Sequence, residues 1–336
     1  MSRKIPSLDG LRAVAILCVI ASHWIGRFRQ AGQLGHFGVT AFFVISGYLI
    51  TELMLRERVR TGDVSIKRFY QRRALRILPA YVVYLLAIAV LALANVYQIK
   101  ARGWLGALTY TSCFMIPSMT WALVHTWSLS VEEHFYLIWP VLFRGLRPRT
   151  AIGLLSMVIL ASPALRHYTE RWFDPAYSSF SQMSSIAAGC LLAFVLGYGV
   201  RLSSWTWGLG AVGIFALSFT GQDPLRAALL DTERAVGFAL LMAMILSLSP
   251  RNPIYRVLNW PLLAQIGVLS YSLYLWQQPL TDGRMPIWLG APLLGIIAFA
   301  SYRFIESPFL RLKDRLEGRG TEGTVPRASM VPALGD

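Results

Sequence analysis

Arg12 and His23 stand eleven residues apart in SLDGLRAVAILCVIASH, a stretch that is otherwise almost wholly apolar. At about 100° and 1.5 Å per helical residue, that spacing puts a permanent cation and a titratable imidazole within about 20° of one helix face, about 16 Å apart along its axis. Ionisable side chains at membrane depth are costly and usually face a cavity or a partner, so such a pair marks a place to look for chemistry. The plainer readings are an interfacial arginine paired with Asp9, three residues earlier, and a hydrogen-bonded core histidine. A second group lies in KRFYQRRALRILPAY, residues 67–81, where Lys67, Arg68, Arg72, Arg73 and Arg76 precede an apolar run. Arg73 and Arg76 are one helical turn apart and can fork onto phosphate oxygens. Ordinary contact with lipid headgroups would use the same charges. The third group is HTWSLSVEEHFYLIWP, residues 125–140, which carries Glu132 and Glu133 into an apolar helix. Ser128 or Ser130 can cap that helix, and a carboxylate in its first turn has a structural use as well as a chemical one.

The elements that must position these groups follow from composition. Of 336 residues, 55% are hydrophobic and 15% charged, too apolar for a soluble domain of this length. Apolar blocks of about 16 to 20 residues recur from about residue 11 to about residue 304, each close to what a crossing of about 30 Å of hydrocarbon needs. The expected fold is an all-α, polytopic integral membrane protein of about ten transmembrane helices. They fall near 11–26, 37–54, 79–96, 127–143, 151–165, 182–199, 206–220, 235–249, 261–280 and 287–304. The block 104–119 is short, polar in its middle and reads as a re-entrant or surface segment. One membrane domain takes residues 1–310, and 311–336 reads as a polar, disordered cytoplasmic tail. The first block follows Arg3 and Lys4 as a signal peptide would, but it contains Arg12 and His23, and it is expected to be a retained span.

Charge decides the handedness of this arrangement. With ten crossings and a cytoplasmic N-terminus, 23 of the 32 Lys and Arg residues fall inside; an eleventh crossing at 104–119 would divide them evenly. The positive-inside rule therefore favours ten crossings with both termini in the cytoplasm. The same distribution accounts for the net charge of +15 without a nucleic-acid partner, because the cations sit in short segments between spans rather than on one face. Cys18, Cys113 and Cys190 each lie in an apolar stretch and lack the paired spacing of a disulfide framework or a zinc site, so no metal is expected. In this topology the helix holding Glu132 starts on the outer side, at about the depth of His23. A carboxylate there could fix the imidazole tautomer and raise its basicity, which a base needs in order to take a proton from an alcohol.

Taken together, the motifs resemble the acyltransferase 3 family of membrane acyltransferases that modify polysaccharides and lipid-linked sugars. The matching pieces are Arg12 with His23, FGVTAFFVISGYLIT at 37–51, RRALRILPAY at 72–81, WSLSVEEHFYLIWP at 127–140, IGVLSYSLYLWQQP at 266–279 and ESP at 306–308. The resemblance implies an acyl-CoA donor, usually acetyl-CoA, as a co-substrate rather than a tightly bound cofactor. It also implies a carbohydrate or lipid-linked glycan acceptor and a place in the bacterial inner membrane among its lipids. By motif match, His23 resembles the family's essential histidine and Arg12 its paired arginine; Arg73 and Arg76 resemble its RxxR pair, with Arg72 beside them. Ser128 and Glu132 match its SxxxE motif. Two positions depart from the pattern: Thr40 stands where Asp is common, and Gln277 where His is common, departures that can alter acceptor choice or mark a less active branch. The aromatic segment 166–180 can stack on a sugar or form an interfacial belt. The rival from another class is a transporter or flippase for a lipid-linked glycan or anion, using Arg12, His23 and Glu132 as a binding and proton-relay path.

Overall fold

With no water to satisfy backbone groups in a bilayer core, a chain this apolar must close its hydrogen bonds within helices. The computed structural model describes residues 5, 7–25, 31–169, 172–174, 176–200, 202–217 and 224–316, and among these it is all helical. In chain order the helices are α1 (Leu8–Ile25), α2 (Ala31–Thr61), α3 (Ile66–Leu93), α4 (Ala101–Leu108), α5 (Trp121–Val124), α6 (Thr126–Gly145), α7 (Pro148–Thr169) and α8 (Ser179–Gly197). They continue as α9 (Ser204–Leu217), α10 (Pro224–Leu246), α11 (Pro253–Leu258), α12 (Pro261–Val268), α13 (Ser270–Leu280), α14 (Ile287–Ser301) and α15 (Ser307–Leu316).

Among the described residues, six helical stretches are long and apolar enough to cross a membrane: Leu8–Ile25, Gln33–Thr61, Ile66–Leu93, Pro148–Thr169, Ser179–Gly197 and Ile287–Leu316. They suit a multi-pass membrane protein, but the expected ten reduce to six on these two conditions. The other four expected spans are helical, each with a physical reason for falling short. α6 and α10 are long enough but carry charge along their length, Glu132 and Glu133 in one and Asp231, Glu233 and Arg234 in the other. α9 has 14 residues among those described, and 218–220 of the expected span lie outside them. The stretch 261–280 is broken at Leu269 into α12 and α13. The block 104–119 contains the last part of α4, which is eight residues long, and two 3-10 turns, Ser112–Phe114 and Ile116–Ser118. At 1.5 Å per residue α4 reaches about 12 Å, well short of a crossing. Residues 311–316 continue α15 past the expected domain boundary, and the rest of the expected tail lies outside the described residues, as do Arg3 and Lys4.

The chain clusters into two units built from interleaved segments: Met1–Gly38, Ser65–Thr126 and Asn259–Thr324 in the first, and Val39–Val64, Trp127–Leu258 and Val325–Asp336 in the second. In the first, α1 and the broken α12–α13 pair run side by side in the same direction. The rungs ascend together: Asn259 exchanges two hydrogen bonds with Ser7, Gly267 lies against the Asp9 backbone, and Gln277 meets His23. Ser7 sits at φ 69°, a left-handed conformation unusual for a residue with a side chain, and the Asn259 bonds, at 3.0 and 2.8 Å, hold it there.

In the second unit, α2 and α8 cross at backbone contact. A Cβ on Gly47 would run into the Ile186 carbonyl, and one on Gly189 into the Val44 carbonyl, so small residues set the helix separation. Gly189→Ala is expected to cost about 1–3 kcal/mol through this clash. Gly213→Ala is the control: no atom lies within 4 Å of the added carbon, and helix propensity should make that change neutral or stabilising by up to about 1 kcal/mol. Thermal melting of the two variants in detergent checks the contrast.

Candidate functional site

α1 is one unbroken helix from Leu8 to Ile25, so the face shared by Arg12 and His23 is real rather than inferred. Arg12 reaches the Asp9 carboxylate at 3.7 Å, the local ion pair that the sequence offers. Near the far end, His23 Nδ1 lies 2.5 Å from Oε1 of Gln277, which is wholly buried. Trp121 meets the imidazole edge-on at 5.3 Å between ring centroids, and its indole N–H donates to the Gln278 carbonyl at 2.8 Å. The Gln277 amide N–H donates in turn to Gln278 Oε1 at 2.8 Å.

A second histidine joins this end of the first unit. His125 is 3% exposed and sits among Tyr84 at 5.3 Å and Tyr274 at 5.6 Å, while the Tyr274 hydroxyl donates to its carbonyl at 3.1 Å. Tyr84 also meets Trp276 edge-on at 5.3 Å. Sequence reasoning passed over His125 and gave Gln277 no contact. Nothing in the spacing of HTWSLS marks its first residue for burial, and residues 23 and 277 are far apart in the chain. Beyond the end of α13, the Tyr97 hydroxyl donates to Asp282 at 2.9 Å, and Arg284 lies over its ring at 4.8 Å. Burial first, and then the bond to Asp282, push the Tyr97 hydroxyl up to about 12, so it stays protonated as a donor.

The basic group sits inside α3 rather than ahead of it, because the helix begins at Ile66 behind a Ser65 cap whose side chain accepts from the Arg68 N–H. Arg72 and Arg73 are half-buried and Arg76 is exposed. Arg73 lies over the Phe69 ring at 5.9 Å, and Arg76 acts electrostatically on buried Glu306, whose carboxylate accepts a hydrogen bond from Ser272. The ESP motif is thus tied to the RxxR motif. Near this pair the Tyr271 hydroxyl donates to the Ile77 carbonyl at 2.8 Å, fastening α13 to α3.

Glu132, Ser128 and Thr40 belong to the second unit. The Tyr136 hydroxyl, one turn along α6, donates to Glu132 Oε2 at 3.1 Å; having one proton, it accepts from Ser46, whose hydroxyl is its other partner. Ser128 and Thr40 are both 5% exposed. Trp127 stacks edge-on with Phe43 and with Tyr177 of the aromatic segment, and His134 Nδ1 lies 2.8 Å from the Ser179 hydroxyl. The sequence reading gives the orienting of His23 to Glu132; the group hydrogen-bonded to His23 in its own unit is Gln277. Farther along, Asp231 of α10 pairs with Arg166 of α7, accepts from Gln182 of α8 at 3.2 Å and lies 3.6 Å from Arg234.

Comparison with known proteins places this geometry in context. The family described as acyltransferase domain matches residues 5–304. O-acetyltransferase OatA of Staphylococcus aureus (strain NCTC 8325 / PS 47) is 30% identical over 348 residues, covering 91% of this chain and 57% of the relative. Two further S. aureus proteins whose names describe an O-acetyltransferase, from strains COL and MSSA476, are each 31% identical over 353 residues with the same coverage. The chain therefore spans a little over half the length of the curated relatives it matches. No solved structure matches it.

Proposed function

Because the chain belongs to the acyltransferase domain family, we propose that it is a membrane O-acyltransferase, moving an acyl group from acyl-CoA to a hydroxyl of a carbohydrate or related acceptor. That the relatives are named as O-acetyltransferases supports acetyl as the group moved; acetyl-CoA as its donor is part of the proposal. The observation that carries the reading is His23, held by a partly buried hydrogen bond to Gln277 on the same unbroken helix as Arg12.

The chemistry follows from that placement. The acceptor hydroxyl gives its proton to His23 as its oxygen attacks the thioester carbonyl; the C–S bond then breaks, and the thiolate recovers the proton from the imidazole. Arg73 and Arg76, with Arg72 beside them, hold the phosphates of CoA on the cytoplasmic side, and Arg12 extends that positive track. Glu132, Ser128 and Thr40 serve the acceptor side. The same proposal puts the protein in the bacterial inner membrane with both termini in the cytoplasm, the orientation that the positive-inside rule favours for ten crossings.

The test is CoA release from acetyl-CoA by the purified protein with a panel of glycan acceptors. The double change Arg73→Ala/Arg76→Ala should raise the donor KM by roughly ten-fold or more, the worth of a charge-assisted phosphate fork, and should leave acceptor KM close to wild type. Wild-type protein that turns over no thioester, yet binds a lipid-linked glycan in a way that His23→Ala abolishes, would replace this reading with a transporter.

A further inference from the structure

Two consecutive glutamines at the buried end of α13 are expensive. Gln277 and Gln278 are both wholly buried, in a helix whose packing leucines would satisfy. Gln277 finds partners: Oε1 faces His23 Nδ1 and takes a long contact from the Thr281 hydroxyl at 3.5 Å, and Nε2 donates to Gln278 Oε1. Gln278 does not finish the chain. Its Nε2 has no acceptor among the described residues. A buried donor left unsatisfied lowers stability, so the amide pair is not explained by what it contributes to the fold. What it does is aim one carbonyl oxygen at one nitrogen of His23.

We propose that Gln277, backed by Gln278, is a positioning residue that locks His23 in the tautomer protonated at Nδ1. This rests on the acyltransferase reading. An amide carbonyl can only accept, so it selects Nδ1–H and leaves the Nε2 lone pair to receive the acceptor hydroxyl's proton. Gln278 keeps the Gln277 amide from flipping by occupying its N–H, because the flipped amide would bring two donors toward Nδ1 and favour the wrong tautomer. Trp121 completes the cradle by fixing the ring plane from the edge while its N–H is spent on the Gln278 backbone. The orienter is neutral. It sets direction without adding a charge that would hold the imidazolium in place once the proton has arrived, which suits a base that must return the proton to a thiolate in the same turnover.

The experiment reads the tautomer directly, in the full-length protein in detergent with ¹⁵N-labelled histidine, at a pH where His23 is neutral. The His23 signals are assigned by their loss in His23→Asn. The expected wild-type result is a protonated Nδ1 and a bare Nε2. Gln277→Leu should shift His23 toward the opposite tautomer and lower kcat by roughly ten-fold or more, within the 10²–10⁴ that a general base contributes, with donor KM unchanged. Gln277→Glu, which keeps an accepting oxygen but adds a charge beside the imidazolium, should restore the tautomer while leaving kcat below the wild-type value. A wild-type His23 protonated at Nε2, or a Gln277→Leu protein with unchanged tautomer and kcat, overturns the proposal and leaves the acyltransferase reading standing. Wild-type protein that turns over no thioester overturns that reading while leaving the tautomer result intact.

Discussion

His23→Ala is expected to lower acetyl transfer by roughly 10²–10⁴-fold in kcat, the range a positioned general base supplies, while donor KM stays near the wild-type value. The separation between the two constants follows from the layout of α1 and α3. The groups assigned to the CoA phosphates are Arg73 and Arg76 on α3 and Arg12 near the start of α1, whereas His23 lies eleven residues further along α1, about 16 Å away. Removing the imidazole takes away the proton acceptor and nothing that grips the donor. CoA release under saturating acceptor, measured for both proteins over a range of acetyl-CoA, resolves the two constants. A His23→Ala protein that binds donor normally and turns over normally would leave the deprotonation step without an agent.

Asp231→Ala is expected to be among the most destabilising single changes in the second unit, at about 3–5 kcal/mol, the cost of stranding a buried partner of opposite charge. Asp231 is the hub of α7, α8 and α10. It pairs with Arg166, whose side chain is 18% exposed, accepts from Gln182, and lies within reach of Arg234, whose side chain is 8% exposed. Taking away the carboxylate leaves two guanidinium groups in an apolar setting without the anion they share, and frees Gln182 from one of its two bonds, the other going to the Ala176 carbonyl at 3.0 Å. Adding Arg166→Leu to Asp231→Ala should recover part of the loss, because one of the stranded charges goes with it. Melting of the single and double variants in detergent gives both numbers; equal melting of Asp231→Ala and wild type would mean the network is solvated and worth little.

Much of this was legible in the chain. The all-helical, membrane-embedded class follows from apolar blocks that no soluble protein could hide, and Arg12 with His23 on one helix face follows from arithmetic on eleven residues. The RxxR spacing likewise survives as one turn of α3. What the chain does not announce is contact between residues distant in sequence. The bond between His23 and Gln277 joins opposite ends of the protein, and a polar residue in an apolar run reads alike whether it orients a base or lines a seam. Burial of His125 was missed for the same reason. Apolar runs also do not reveal where a helix stops: 261–280 reads as one span, yet it breaks at Leu269, next to the Gly267 that lets the Asp9 backbone approach. Conversely, α6 and α10 read as ordinary spans although their charges set them apart from the six stretches long and apolar enough to cross a membrane.

The unbroken run of α1 makes it a phase element as well as a spacer. Gly267 against Asp9 fixes one end and Gln277 against His23 the other, so the thirteen residues between Asp9 and His23 must arrive with both the right length and the right rotation. A side-chain change inside that interval alters packing locally. One residue inserted or deleted there advances or retards His23 by about 100° as well as by about 1.5 Å, which turns the imidazole away from its amide while leaving the hydrophobic content of the span untouched. The helix can therefore tolerate drift in composition but not in count, and the interval between its two anchors is a length that divergence of the sequence has to preserve.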